Sequence, residues 1–220
     1  MTEVINFLRD LEKNNDRDWF QENKTSYDQA RKVFLEQIQK MINALQFHDP
    51  RISGLEARDA MFRIYRDIRF SKDKTPYKTH FGAYMARGGR KSSEAGYYLH
   101  IGSNELFLAA GVHSPGKEDL HAIRQEIIYQ PDSIRKIIEQ KLKEGFQLYE
   151  KDKLKKGPMG FPKDTPQSDL LKYKHFMLSD SLETDLILSP DFVETATEKF
   201  RMLIPFTEYL NAAMEFKGNE

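Results

Sequence analysis

The chain has 220 residues, enough for one large domain that needs no disulfide staples. Charged residues make up 31% and hydrophobic ones 39%, the mix of a water-exposed globular protein rather than a disordered or membrane-embedded one. There is no cysteine, which excludes disulfides, thiolate catalysis and cysteine-ligated zinc, and the net charge of zero counts against a polyanion binder that uses its whole surface.

The start has acids from Glu3 onward and no unbroken apolar run, so no signal peptide is expected. No apolar run approaches the ~20 residues that span a bilayer. The expectation is a cytoplasmic protein with no membrane partner. Thr2 is placed to cap a first helix, with Val4, Phe7, Leu8 and Leu11 on one face. Asp16 or Asp18 opens a short segment carrying Trp19 and Phe20, both expected in the core. From about Ser26, Tyr27, Ala30, Phe34, Ile38, Met41 and Leu45 recur at helical spacing and predict a long helix that ends at His48-Asp49-Pro50.

Alternation then predicts a sheet over about residues 61–113. In its first strand Phe62, Ile64, Arg66, Ile68 and Phe70 share one face, and Arg63, Tyr65, Asp67 and Arg69 the other. Ser71 to Thr75 is turn chemistry. Phe81, Ala83 and Met85 alternate with His80, Gly82 and Tyr84. Residues 96–102 and 105–113 form a hairpin around Ser103-Asn104, with His100 opposite Phe107. Helices are expected over 117–129 and 132–144, a loop and an edge strand over 146–180, and C-terminal helices over 191–216 that Pro205 kinks or divides. Together these predict a single α+β domain, its mostly antiparallel sheet packed against N-terminal and C-terminal helices.

Chemistry concentrates in one place. From Arg58 to Lys91 there are ten Lys/Arg against three Asp/Glu, while the remainder has 24 bases and 31 acids. Such a local excess points to an anionic partner at one site. No phosphate-binding glycine loop, metalloprotease helix or nucleophile elbow is present, and no motif names a cofactor or reaction. The guanidinium fork suits phosphate or carboxylate. Arg63, Arg69, Lys74, Tyr77 and Lys78 are therefore the candidate ligand-binding residues, for a phosphorylated or otherwise anionic small molecule, nucleotides included. Asp67 and His100 are the candidate catalytic residues, Asp67 by orienting the arginines or acting as a base. Arg66, on the apolar face, is read as structural, tying the sheet to a helix through an acid, because an unpaired buried charge is costly.

Rival readings stand beside this one. The same patch fits nucleic acid, although zero net charge and the lack of an aromatic RNA-binding pattern count against it. The Arg/Asp pattern also fits an ion-pair scaffold in a structural or interaction protein. His80, His100 and His113 fit a metal site completed by Asp67, but structural histidines are commoner, and no metal ligand set is assigned. Lys151, Lys153, Lys155, Lys156 and Lys163 fit either a solvated loop or a second wall for the anion.

The stretches FRIYRDIRFSKDKTPYKTHFG, NNDRDWF, GYYLHI and LKKGPMGFPKDTP together resemble the family catalogued as domain of unknown function 2461, from Phe7 to about Asn211. Met159 stands where that family usually carries a basic residue. The resemblance implies an α+β fold over the full length and marks the arginine-rich segment as the family's signature. It implies no substrate and no catalytic residue.

Overall fold

The structure, a computed structural model, describes residues 1–216. Helices α1 (Thr2–Lys13), α2 (Arg17–Glu22), α3 (Lys24–Leu45) and the short α4 (Ala57–Ala60) come first. Strands β1 (His80–Met85), β2 (Gly96–Gly102) and β3 (Leu106–Val112) follow. Next come α5 (Lys117–Tyr129), α6 (Pro131–Lys143), β4 (Gln147–Leu148), β5 (Phe176–Ser181), α7 (Phe192–Met202) and α8 (Ile204–Glu215). The strands form one five-stranded sheet in the order β1-β2-β3-β5-β4, and the class is the α+β expected. The chain divides into two compact units. One comprises Met1–Lys91, Tyr98–Leu108 and Ser181–Lys199; the other comprises Ser92–Tyr97, Ala109–Asp180 and the chain from Phe200 on.

In the first unit an aromatic core forms because the apolar stripes of α1 and α3 meet the odd-numbered face of β1. Phe7 stacks on Phe81 with ring centres 6.1 Å apart, and Phe34 lies 5.3 Å from Phe81. Every member of the α3 stripe from Tyr27 to Leu45 is buried. Asp16 caps α2 by accepting from the Trp19 amide at 2.9 Å, and Phe20 is fully buried while Trp19 is only half so. Thr2 lies inside α1 rather than capping it.

The strand expected over 61–70 is corrected. Residues 61–79 pair only through isolated bridges, Met61 with Ala83 and Tyr65 with Tyr77. Three amides carry that pairing, Phe62 to Gly82, Arg66 to Pro76 and Lys78 to Ile64, each donating to the partner's carbonyl at 2.8–2.9 Å. What fixes the segment is a side chain. Asn15 donates to the Tyr77 carbonyl at 3.0 Å and accepts from the Tyr77 amide at 3.1 Å, taking the place of a strand neighbour. The Tyr77 ring then stacks on Phe20, with centres 4.0 Å apart. Alternation survives as far as Ile68, but Phe70 is 95% exposed instead of facing the core.

In the second unit the same device recurs: Asn211 accepts from the Ala95 amide at 2.8 Å and donates to the Ala95 carbonyl at 3.1 Å. Pro131 sits in the first turn of α6, where its missing N–H costs nothing. β5 is interior to the sheet, between β3 and β4, which corrects its expected edge position. Pro205 opens α8 just past the break at Leu203.

Asn15→Ala leaves both Tyr77 main-chain groups unpaired beside the aromatic core. It is expected to cost about 2 kcal/mol in urea unfolding. Asn15→Asp, which keeps only the acceptor, recovers part of that loss. No change in the urea midpoint for Asn15→Ala would show that the stacking alone holds the segment.

Candidate functional site

The basic segment pairs two of its arginines with its own acids. Asp67 holds Arg69 in a two-pronged pair, accepting from Nε at 2.9 Å and from Nη2 at 2.6 Å. That guanidinium, with the Arg69 amide, draws the Asp67 carboxyl down to about 2. Arg66 donates to Asp73 and to Thr75, both within the following turn. Its partner acid thus lies in the turn next to it and not on a helix, as the sequence had suggested. Asp73 falls to about 2 because the Thr75 amide, Arg66 and the Thr75 hydroxyl all favour its ionised form. Lys74 donates to the Ile68 carbonyl at 3.0 Å and closes the turn. Tyr77 is 3% exposed, so its ring belongs to the core and not to an open ligand face.

Arg63 and Lys78 differ from these. Among the described residues neither is paired with a carboxylate. Lys78 is half-buried, with its ammonium 5.5 Å from the centre of the Phe62 ring. Burial first, and then Arg63, depress its pKa. The positive charge of Arg63 thus adds to the cost of keeping Lys78 protonated.

The sheet face beside them is polar and aromatic. Alternation puts His80 and Gly82 of β1 and Tyr98 and His100 of β2 on one side, the β2–β3 turn adds Glu105, and β3 adds Phe107. The hairpin register is as expected, with the Gly102 amide donating to the Glu105 carbonyl at 2.8 Å. His100 is stacked between two rings, His80 at 4.2 Å and Phe107 at 4.4 Å. Its Nε2 lies 2.6 Å from Glu105 Oε1 and its Nδ1 lies 3.1 Å from the Tyr98 hydroxyl. The sequence reading missed Tyr98 and Glu105. The signal was available in the hairpin register, which sets Glu105 at the mouth of the turn two residues before Phe107.

His113 belongs to the second unit, where it stacks on His175 at 4.5 Å beside Tyr149. The Ser114 amide donates to His175 Nδ1 at 3.0 Å, so neutral His175 carries its proton on Nε2, toward Asp152 Oδ2 at 4.0 Å. Ser114 Oγ is 3.2 Å from His113 Nδ1 and 3.4 Å from His175 Nδ1. Ser114 and Asp152 are the non-glycine residues with positive φ among those described. This resembles a nucleophile–base–acid arrangement, but the Ser114 amide already occupies the His175 lone pair that would take the hydroxyl proton. Among the described residues no group of three or more His, Asp or Glu is placed to hold a metal. In the long loop, Lys153 donates to Glu150 and lies over the Tyr173 ring, while Lys156 and Lys163 line a groove of about 810 Å³ with Lys172 and Ser168. No described helix is long and apolar enough to cross a membrane.

Against known families, residues 3–209 match the model described as conserved hypothetical protein (DUF2461). The chain belongs to that family. No curated protein and no solved structure matches it. The arginine-rich segment and the polar sheet face of the first unit both lie inside the part that matches DUF2461.

Burial first, then His100 and Lys78, bring His80 down to about 4 from the ordinary 6.5, with Glu105 pulling the other way. Between those values the unfolded chain binds more protons than the folded one, so His80 lowers stability as pH falls through that window and contributes nothing above it. The Asp67 and Asp73 contributions are lost only below about 3.8. His80→Asn is therefore expected to flatten the fall in urea midpoint between pH 6.5 and 4.5, and an unchanged slope would rule out His80 as its source.

Proposed function

We propose that this chain binds an anionic small molecule, a phosphate-bearing one, at Arg63 and Lys78 on the edge of the polar sheet face, in the cytoplasmic setting expected from its sequence. The observation that carries this is selective neutralisation. Arg66 and Arg69 each have a carboxylate, and Lys74 has a carbonyl, but among the described residues no acid is paired with Arg63 or with the half-buried Lys78, whose charged form the Arg63 charge disfavours. A bound oxyanion offsets that cost and takes charge-assisted hydrogen bonds from both side chains. His80, Tyr98 and Phe62 supply the adjoining wall. Of the five candidate ligand residues, Arg69 and Lys74 shape the turn and Tyr77 packs in the core. The scaffold reading therefore applies to that part of the segment, and the binding reading to Arg63 and Lys78.

The exposed Phe70 ring beside Arg69, 5.9 Å from its guanidinium carbon, favours a second reading, single-stranded nucleic acid stacking on the tip. Oligonucleotide titrations at two salt concentrations separate the two, since nucleic-acid affinity falls steeply with salt.

A thermal-shift titration with inorganic phosphate or pyrophosphate tests the main reading. A ligand at a hundredfold excess over its Kd adds about 2.7 kcal/mol of stability. Arg63→Ala and Lys78→Ala should each abolish most of the shift, whereas Arg69→Ala should retain it. Affinity should fall with rising pH before the ordinary lysine value of 10.5 is reached, because Lys78 loses its proton early. Equal shifts in wild type and Lys78→Ala would exclude this site.

A further inference from the structure

His100 has two polar partners, and they settle where its proton lies. A carboxylate oxygen only accepts, so His100 Nε2 donates to Glu105 across their 2.6 Å contact. Burial keeps the imidazole neutral, lowering its pKa against the pull of Glu105. A neutral imidazole carries one N–H, so Nδ1 is an acceptor and the Tyr98 hydroxyl donates to it at 3.1 Å. Burial also raises the Tyr98 pKa to about 12, which keeps that proton in place at neutral pH. The oxygen of Tyr98 therefore offers only lone pairs to anything else that approaches.

Two glycines make room for this arrangement. A Cβ on Gly82 would lie 2.6 Å from the Tyr98 hydroxyl oxygen, and one on Gly102 would lie 2.6 Å from Glu105 Cγ. Phe62 joins the acceptor to Lys78, since Lys78 lies over its ring and the Tyr98 ring meets it edge-on at 6.1 Å.

We infer that the Tyr98 oxygen is a specificity-determining acceptor across the Phe62 ring from Lys78 in the proposed Arg63 and Lys78 site, and that the ligand class is an oxyanion carrying its own proton, a phosphate group with a P–OH, in preference to sulfate. This rests on the anion-binding reading of those two cations. Inorganic phosphate keeps a P–OH at neutral pH and can donate it to Tyr98. Sulfate has no proton to give and sets its lone pairs against those of the tyrosine. A site with a fixed, partly buried acceptor rejects a ligand that cannot donate to it.

Calorimetric titration of the full chain with inorganic phosphate and with sulfate, at pH 7 and matched ionic strength, tests this. Wild type should prefer phosphate by about tenfold or more. Tyr98→Phe should bring the ratio close to one, with sulfate binding retained. His100→Phe keeps the ring stack but releases the Tyr98 proton, and it should lower the ratio in the same way. Nitrogen NMR of wild-type His100 gives a check that needs no variant to fold: the Nε2–H tautomer is expected, and the Nδ1–H tautomer would overturn the inference. Equal affinity of wild type for the two anions, or a ratio unchanged in Tyr98→Phe, overturns the acceptor role and leaves the cation site standing. Binding of neither anion by wild type overturns the cation site, and this inference with it.

Discussion

Two hydrogen bonds from one asparagine side chain set the shape of the charged segment. Asn15 takes both main-chain groups of Tyr77, at the point where the turn ends and the chain heads into β1. Without a regular ladder over residues 61–79, that point is held by these hydrogen bonds and by the packing of the Tyr77 ring. The stacked Phe20–Tyr77 pair supplies apolar area, but stacking tolerates sliding, whereas a two-point amide contact fixes register. Lys78, one residue on, inherits its position from this contact, and so does the line of residues leading to His80. In the second unit Asn211 holds Ala95 in the same manner just before β2. The sheet is thus entered twice through side-chain amides standing in for neighbouring strands.

Charge in sequence and charge in space differ here. Ten basic residues against three acids between Arg58 and Lys91 suggest a strongly positive surface. The structure spreads them: Asp67 and Asp73 neutralise Arg69 and Arg66, Arg90 donates to the carbonyls of Arg58 and Asp59, and Lys74 bridges its own turn. The exposed pairs are worth little individually to stability, in the range of about 0–1 kcal/mol. Their effect is on shape and on the local field. Among the described residues Arg63 and Lys78, like Lys72 and Lys91, are left without a paired carboxylate.

Much of this was legible in the residues. Helical spacing gave α3 and its buried stripe, and alternation with a short polar turn gave the β2–β3 hairpin and the His100–Phe107 pairing. The supposed strand over 61–70 was not legible as a turn-bound segment, because alternation records which side chains face inward and says nothing about whether a neighbour supplies the ladder. Local pairing of Arg66 with Asp73 drew the chain into a turn and left Phe70 in solvent. The interior place of β5 was hidden because its partner β4 is only two residues long. Within the site, Arg63, Lys78 and His100 stood out by charge and chemistry. Tyr98 and Glu105 did not, since their roles depend on cross-strand neighbours and on glycines whose importance lies in the atoms they lack.

Gly82 and Tyr98 also constrain each other across generations. They belong to different strands, sixteen residues apart, yet a methyl group at position 82 would press on the hydroxyl end of the Tyr98 ring, which would have to shift from its place beside His100. Keeping the tyrosine where it stands therefore favours keeping the glycine, and losing the hydroxyl makes room at position 82. The two positions are thereby expected to drift as a pair.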